Sequence, residues 1–133
     1  MIQYTSTDNS TTTGLFVTVG DSGTILTSPD GTSWDNRTSG TSKFLYGVTY
    51  VNGLFVTVGD SGTILTSSDN GTSWTERTSG ISSEKYLYEV TYGNGTFVTV
   101  GRLGTILTSS DGISWDNRTS GTSNLLYGVT YSQ

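Results

Sequence analysis

The sequence GLFVTVG at residues 14–20 decides the fold, because nearly the same seven residues occur twice more. They recur as GLFVTVG at 53–59 and as GTFVTVG at 95–101, with offsets of 39 and 42 residues. A period near 40 residues is typical of β-propellers and other repeat arrays. Two further stretches keep the same phase, namely GTILTS at 23–28, 62–67 and 104–109, and LYGVTY or LYEVTY at 45–50, 87–92 and 126–131.

Each repeat contains four short strand-like runs that are rich in β-branched and aromatic residues. Turn sequences separate the runs, such as Asp21-Ser22-Gly23 and Asn52-Gly53, in which glycine and asparagine tolerate a positive φ. Apolar residues lie on both faces of a run, which favours sheets covered on both sides, as in stacked blades. The sequence therefore predicts an all-β chain of three four-stranded antiparallel blades. The three repeats span residues 14–52, 53–94 and 95–133, while residues 1–13 do not match the repeat and are expected to form a flexible arm.

A second motif ends the third run of each repeat. The sequence SSDNGTSW at 67–74 resembles the Asp-box, the Ser-x-Asp-x-Gly-x-Thr-Trp hairpin of bacterial neuraminidase-type repeats. The whole repeat resembles the propeller blades of photosystem II assembly-factor-like proteins. The copies at 28–34 and 109–115 lack one residue between Asp and Gly, which predicts tighter turns. The resemblance implies structural roles for Ser28, Asp30, Gly31, Trp34, Ser67, Asp69, Gly71, Trp74, Ser109, Asp111, Gly112 and Trp115.

The order of the runs predicts assembly. The first runs of the sequence correspond to the second, third and fourth strands of a blade, and the innermost run appears at Leu45, at Leu87 and finally at residues 125–131. Every blade then has four strands only if residues 125–131 supply the missing innermost strand of the first blade. Propellers normally have four to eight blades. We therefore expect a homodimer that closes a six-bladed ring, each chain supplying the closing strand to the other, whereas a trimer with nine blades would exceed the usual range.

Composition excludes several classes of function. The formal net charge of −5 argues against binding to nucleic acid, which needs a concentrated basic surface. The chain has no cysteine and no histidine, which removes the usual nucleophiles, bases and zinc ligands. We expect no enzyme activity, no cofactor and no metal. No signal peptide or membrane-spanning run is recognisable, so a cytoplasmic location without membrane contact is the default expectation.

A sialidase-like site is disfavoured although the motif at residues 67–74 suggests it. That chemistry needs several arginines that converge on a substrate carboxylate. Arg37, Arg77 and Arg118 occupy one position in successive repeats, so they are spread around the rim. Surface pairing with Asp35 and Asp116 is the favoured interpretation of these arginines.

The candidate ligand site lies among loops that vary between repeats. Asp21, Asp60 and Arg102 open equivalent turns, and the loops between the outer and innermost runs should lie on the same face. Solvated turns are the simpler interpretation, since aspartate favours turns on conformational grounds. The candidate residues are Asp21, Asp60, Arg102, Lys43, Lys85 and Glu89, the last of which replaces the glycines at 47 and 128.

Three functional interpretations follow. The first is a non-catalytic, self-assembling scaffold or binding module with a protein partner. The second is a carbohydrate-binding lectin, in which repeated weak sites gain avidity. The third is an engineered or recently amplified repeat protein with no evolved ligand, because residues 14–52 and 95–133 differ at only 9 of 39 aligned positions.

Overall fold

The computed structural model describes residues 14–133, and the arm expected at residues 1–13 lies outside them. Within the described residues, eleven strands form three antiparallel sheets, and the second and third sheets each take their innermost strand from the end of the preceding repeat. This confirms an all-β chain of propeller blades. The first sheet contains β1 (Phe16–Val19), β2 (Ile25–Ser28) and β3 (Asp35–Arg37). The second contains β4 (Leu45–Val51), β5 (Leu54–Gly59), β6 (Ile64–Ser67) and β7 (Thr75–Arg77). The third contains β8 (Leu87–Gly93), β9 (Thr96–Gly101), β10 (Ile106–Ser109) and β11 (Asp116–Arg118).

The second and third sheets are four-stranded meanders with the same register. Strand β4 pairs with β5 so that Tyr50 lies opposite Phe55, and β8 pairs with β9 so that Tyr92 lies opposite Phe97. Each innermost strand has a bulge near its start, between Leu45 and Gly47 in β4. The two sheets have the same register because the same sequence pattern is repeated in both.

The hydrophobic core lies between neighbouring sheets. Face-to-face packing of the blades buries apolar side chains from both, as the two-sided apolar pattern predicts. Trp74 packs against the cluster between the first and second blades, and Trp115 against the cluster between the second and third. One cluster contains Ile25, Leu45 and Leu65, and the other contains Val56, Val58, Ile64, Leu87, Val90, Phe97 and Leu107.

Gly47 shows how closely the innermost strands of neighbouring blades approach each other. A Cβ atom at this position would lie 3.0 Å from the Tyr88 carbonyl oxygen and 3.1 Å from the Glu89 Cα atom. A side chain here would push β4 and β8 apart. The glycine therefore permits the tight spacing of the two strands.

The first sheet has three strands, whereas the other two have four. Residues 125–131, predicted from the sequence as an innermost strand, belong to no sheet within the described part of the chain. They nevertheless occupy the innermost position beside the third blade, where the Leu126 amide donates to the Gly101 carbonyl at 3.0 Å, as the Leu45 amide does to Gly20 at 2.9 Å. A strand needs a hydrogen-bonded neighbour to complete its ladder, and no described strand forms a ladder with this segment.

Candidate functional site

The loop face is one end of the blades, formed by three short turns and the loops that follow the outer strands. The turns span Asp21–Gly23, Asp60–Gly62 and Arg102–Gly104, and the loops span residues 38–44, 78–86 and 119–124. The opposite end, the hairpin face, carries the turns after β4 and β8 and the hairpins after β2, β6 and β10. The loops of the loop face vary in length and sequence between repeats, whereas the hairpins all keep the Ser, Asp, Gly and Trp of the motif.

Backbone contacts tie each turn of the loop face to a neighbouring loop. The Asp60 amide donates to the Phe44 carbonyl at 2.9 Å, and the Arg102 amide donates to the Tyr86 carbonyl at 2.8 Å. A Cβ atom at Gly23 would lie 1.9 Å from the Thr41 carbonyl oxygen, so only glycine permits this approach. The turns are therefore held in place and present their first residues at fixed positions.

Most of the candidate residues named from the sequence lie on the loop face. Asp21, Asp60 and Arg102 are the first residues of the three turns, and Lys43 and Lys85 lie in the adjoining loops. The Arg102 guanidinium lies over a tyrosine ring, 5.3 Å from the centroid of Tyr86. Whether these residues bind a ligand stays a prediction.

Glu89 lies apart from the charged residues of the turns. It is half-buried in β8, and its Cα atom faces the glycine at position 47 in β4. Glu89 therefore contributes to the contact between two innermost strands.

A row of tyrosines crosses the loop-face ends of the innermost strands. The ring centroids of Tyr46 and Tyr88 are 5.3 Å apart, and those of Tyr88 and Tyr127 are 5.4 Å apart. Burial, and then the neighbouring Asp60 carboxylate, raises the pKa of Tyr46 to about 12. Burial likewise raises the pKa of Tyr88 above its ordinary value. The strand pattern predicts these tyrosines only as strand residues, and their shared position in the three innermost runs is the one sequence signal for the row.

Two shallow depressions lie on the loop face, one in the second blade and one in the third. The depression beside Arg77 has a volume of about 540 Å³ and includes Glu76 and Thr78. The one beside Arg118 has a volume of about 400 Å³ and includes Lys85. Both are open, polar surfaces between a turn and the loop that follows the outer strand, so they suit contact with an extended chain better than enclosure of a small molecule.

The arginines of the outer strands are spread over three blades. Arg37 lies 3.9 Å from Asp35, and Arg118 lies 3.8 Å from Asp116, both at the surface. Arg77 has Thr75 at the corresponding position, and its Nε donates to the Thr66 hydroxyl at 2.9 Å. The pairing expected from the sequence therefore holds in two blades.

The aspartate of each hairpin motif organises its own turn. In the second blade, Asp69 accepts hydrogen bonds from the Ser67 hydroxyl and from the Ser73 amide, both at 2.9 Å. The Ser73 hydroxyl donates to it as well, and these bonds lower the pKa of Asp69 to about 2. Backbone amide donors likewise hold the pKa values of Asp30 and Asp111 below their ordinary range.

The tryptophan and the loop length complete the hairpin. The Trp74 indole donates to the Gly71 carbonyl at 3.0 Å, and Trp34 and Trp115 make the same bond in their blades. The additional residue of the second motif, Asn70, adopts a positive φ of 62°. Since the motif's polar groups bond within the hairpin, they hold the turn in shape.

No helix within residues 14–133 has both the length and the apolar character needed to cross a membrane. Nor do His, Cys, Asp or Glu side chains gather in threes in this part of the chain to form a metal site.

Comparison with solved structures shows which known fold the chain is similar to. No protein-family model matches the sequence, and no curated protein matches it either. Among solved structures, the chain is similar to YCF48 bound to D1 peptide, with 21% sequence identity and a TM-score of 0.70. The match covers 82% of this chain but only 37% of that one. The chain thus shares the architecture of part of a larger propeller that binds a peptide.

Proposed function

We propose that the chain is a non-catalytic binding module in which two copies close a six-bladed propeller and present their loop face to a partner polypeptide. Each copy supplies residues 125–131 as the innermost strand of the other copy's first blade. The contact is head to tail and closes by rotation. The carrying observation is that surfaces buried inside the second and third blades are exposed at both open ends of the chain.

The first blade shows one of these open ends. Phe16 is 58% exposed, whereas the equivalent Phe55 and Phe97 are 5% and 2% exposed. Phe55 and Phe97 each pack against a tyrosine of the innermost strand, Tyr50 at 4.6 Å and Tyr92 at 4.7 Å. Phe16 lacks such an innermost strand within its own sheet.

Residues 125–131 have the sequence of the innermost strand that the first blade lacks. Tyr131 is the equivalent of Tyr50 and Tyr92, and it is 51% exposed. Thr57 and Thr99 donate from their hydroxyls to carbonyls of the innermost strand, at 2.7 and 2.8 Å. Thr18 is the exposed equivalent in β1. In the closed dimer Phe16 packs against the partner's Tyr131, and the Thr18 hydroxyl bonds to the partner's Gly128.

Native mass tests the assembly. The 133-residue chain, with a mass of 14.1 kDa, should appear at twice that mass in native mass spectrometry and light scattering. A monodisperse monomer, or a ladder of larger open oligomers, would contradict the six-bladed ring.

The proposed ligand is an extended segment of another protein. The support is twofold: the loop face carries open polar depressions, and YCF48, which has a similar fold, is bound to a peptide. Loops on a rigid propeller commonly carry the binding function. The chain also lacks histidine and cysteine, which fits a role without catalysis.

A displayed library of random peptides tests this function. The wild-type dimer should enrich peptides, and Thr78→Trp, which fills one of the two depressions of each chain, should lower the enrichment. Ser110→Trp is the matched control, because it adds the same bulk to an exposed position on the hairpin face. Equal loss in both variants, or no enrichment by wild type, would contradict binding at the loop face.

A pocket between blades favours a second candidate, a lectin. This cleft of about 160 Å³ on the hairpin face is lined by Tyr92, Asn52 and Asp111, a combination of aromatic, amide and carboxylate groups suited to a sugar ring. Saturable binding on a glycan array, lost in Ser110→Trp and kept in Thr78→Trp, would establish this candidate. An array with no saturable signal would exclude it.

A further inference from the structure

Oδ1 of Asp60 is the one buried side-chain oxygen or nitrogen of residues 14–133 that has no hydrogen-bond partner. Most buried polar atoms in proteins are hydrogen-bonded, because an unsatisfied one loses its hydration without compensation. The free-energy cost of this lost hydration is larger for a carboxylate than for a neutral group. Oδ1 of Asp60 therefore has no donor among the described residues, while the Tyr46 hydroxyl donates to the same carboxylate.

The backbone around Asp60 fixes the position of its side chain. Its amide donates to the Phe44 carbonyl at 2.9 Å, and its carbonyl accepts from the Thr63 amide at 3.0 Å. The next residue, Ser61, has a positive φ of 58°, which makes the turn tight. The carboxylate is thus held at the loop face by contacts on both sides.

Aromatic rings and phenol groups surround this carboxylate. The Tyr46 phenol hydrogen-bonds to it, and the Tyr46 ring is 5.3 Å from that of Tyr88. The charge of Asp60 acts on both phenols and favours their neutral forms. Tyr86 adds a third ring nearby, and together they form an apolar wall with hydroxyl groups.

No cationic side chain within residues 14–133 pairs with Asp60. The ion pairs in this part of the chain are Arg37 with Asp35 and Arg118 with Asp116. Arg102 faces the same tyrosines, but its guanidinium lies over the Tyr86 ring. The carboxylate charge is therefore left for a group from outside the chain.

We propose that Asp60 binds the guanidinium or ammonium group of a basic side chain in the partner segment. The inference rests on the proposed binding of a polypeptide at the loop face and names the residue type that this face selects. A guanidinium or ammonium group supplies charged N–H donors to the carboxylate of Asp60, a residue that is only half-buried. The rings of Tyr46 and Tyr88 contact the aliphatic stem of the same side chain. A net charge of −5 also favours the approach of a basic segment.

The three turns predict an unequal distribution of such sites. Asp21 occupies the same position in the first blade, and in the closed dimer the partner's Tyr127 stands beside it as Tyr46 stands beside Asp60. Arg102 occupies the position in the third blade and repels a cation. The ring therefore has four such sites. The two at Asp60 are formed within one chain, and the two at Asp21 are formed by residues of both chains.

Short peptides with one variable residue test the proposal. The probe is an acetylated and amidated glycine–serine peptide with a single central arginine, and its companions carry lysine, glutamine or glutamate instead. Titrated into the isotope-labelled dimer, the arginine and lysine peptides should shift the amide resonances of Asp60, Tyr46 and Tyr88. The glutamine and glutamate peptides should not.

Matched variants identify the carboxylate. Asp60→Asn should weaken binding of the arginine peptide by about tenfold or more, because it removes a charge-assisted hydrogen bond. Asp35→Asn removes the same charge from an outer strand and should change the affinity less than about twofold. Equal loss in both variants, or shifts that map away from Asp60, would overturn the assignment even if Asp60→Asn folds poorly, since the mapping uses wild type.

The outcomes separate this proposal from the function on which it rests. If the glutamine or glutamate peptide binds the loop face and the basic peptides do not, the binding module stands and the role of Asp60 falls. If the library enriches no peptide and none of the four probes binds a dimer of correct mass, the proposed function falls as well.

Discussion

The first and second blades share nearly the same sequence and differ in how much of it they bury. Strand β5 is buried from Phe55 to Gly59, whereas in β1 the corresponding residues alternate between exposed and half-buried. The second blade lies between two neighbours, and the first has one neighbour and three strands. Burial in this fold is therefore a property of the blade's position, and the sequence of the first blade fits a neighbour that a single chain does not provide.

Removal of residues 125–133 should have the largest effect. Without this segment neither first blade receives an innermost strand, so the dimer should be lost completely and the remaining chain should be monomeric or aggregate through its open edges. Native mass spectrometry measures the change. Removal of Ser132 and Gln133 alone is the control and should leave the dimer intact, and a truncated chain that still forms the dimer would contradict strand exchange.

The equivalent phenylalanines should respond differently to truncation. Phe55→Ala removes a side chain buried within one chain, and should lower the free energy of unfolding by about 3–5 kcal/mol at every protein concentration. Phe16→Ala should act mainly on assembly, so its thermal midpoint should depend steeply on concentration. Thermal unfolding over a hundredfold range of concentration distinguishes them. The same concentration dependence in both variants would remove the distinction between the two blades.

Acid should weaken the hairpins next. The folded-state pKa of Asp69 is about 2, below its ordinary value of 3.8, so its stabilising effect is complete above about pH 4 and is lost as the pH falls toward 2. The thermal midpoint should fall over this range in wild type and fall less in Asp69→Asn. Asp35→Asn serves as the control of equal charge. An Asp69→Asn profile parallel to that of wild type would show that the hydrogen bonds of Asp69 do not carry the effect.

The smallest change should come from completing the outer ion pair of the second blade. Thr75→Asp gives Arg77 the partner that Arg37 and Arg118 already have. Exposed ion pairs contribute between roughly 0 and 1 kcal/mol, so the unfolding free energy should rise by less than about 1 kcal/mol. Chemical denaturation with and without 0.5 M salt measures it. A larger rise that persists in salt would mean that this pair is not a surface interaction.

Local sequence was sufficient to predict the blades. Alternating β-branched and aromatic residues define strands such as β5, and Asn52-Gly53 defines the turn before it, so the register follows within a single repeat. The state of residues 125–131 could not be read in the same way. Their strand pattern equals that of β4, but a ladder forms only beside a suitable edge, and the edge they match is in the first blade.

The candidate site was predictable only in part. The turns at Asp21 and Asp60 could be placed on one face because their position in the meander follows from strand order. The row formed by Tyr46, Tyr88 and Tyr127 could not, because strand pattern alone does not tell which side chains of neighbouring blades meet. The unsatisfied oxygen of Asp60 depends on the packing of two blades and has no signature in the sequence.

A pair of cysteines across the subunit junction tests the closed ring most directly. The register of Thr49 with Val56 in the second blade predicts that Thr130 of one chain lies opposite Val17 of the other. The chain has no cysteine of its own, so Val17→Cys with Thr130→Cys introduces one defined pair. Under mild oxidation the account predicts a covalent species of twice 14.1 kDa that forms quickly and extends no further. A disulfide within one chain, a ladder of longer species, or no cross-link would contradict the exchange of the innermost strand.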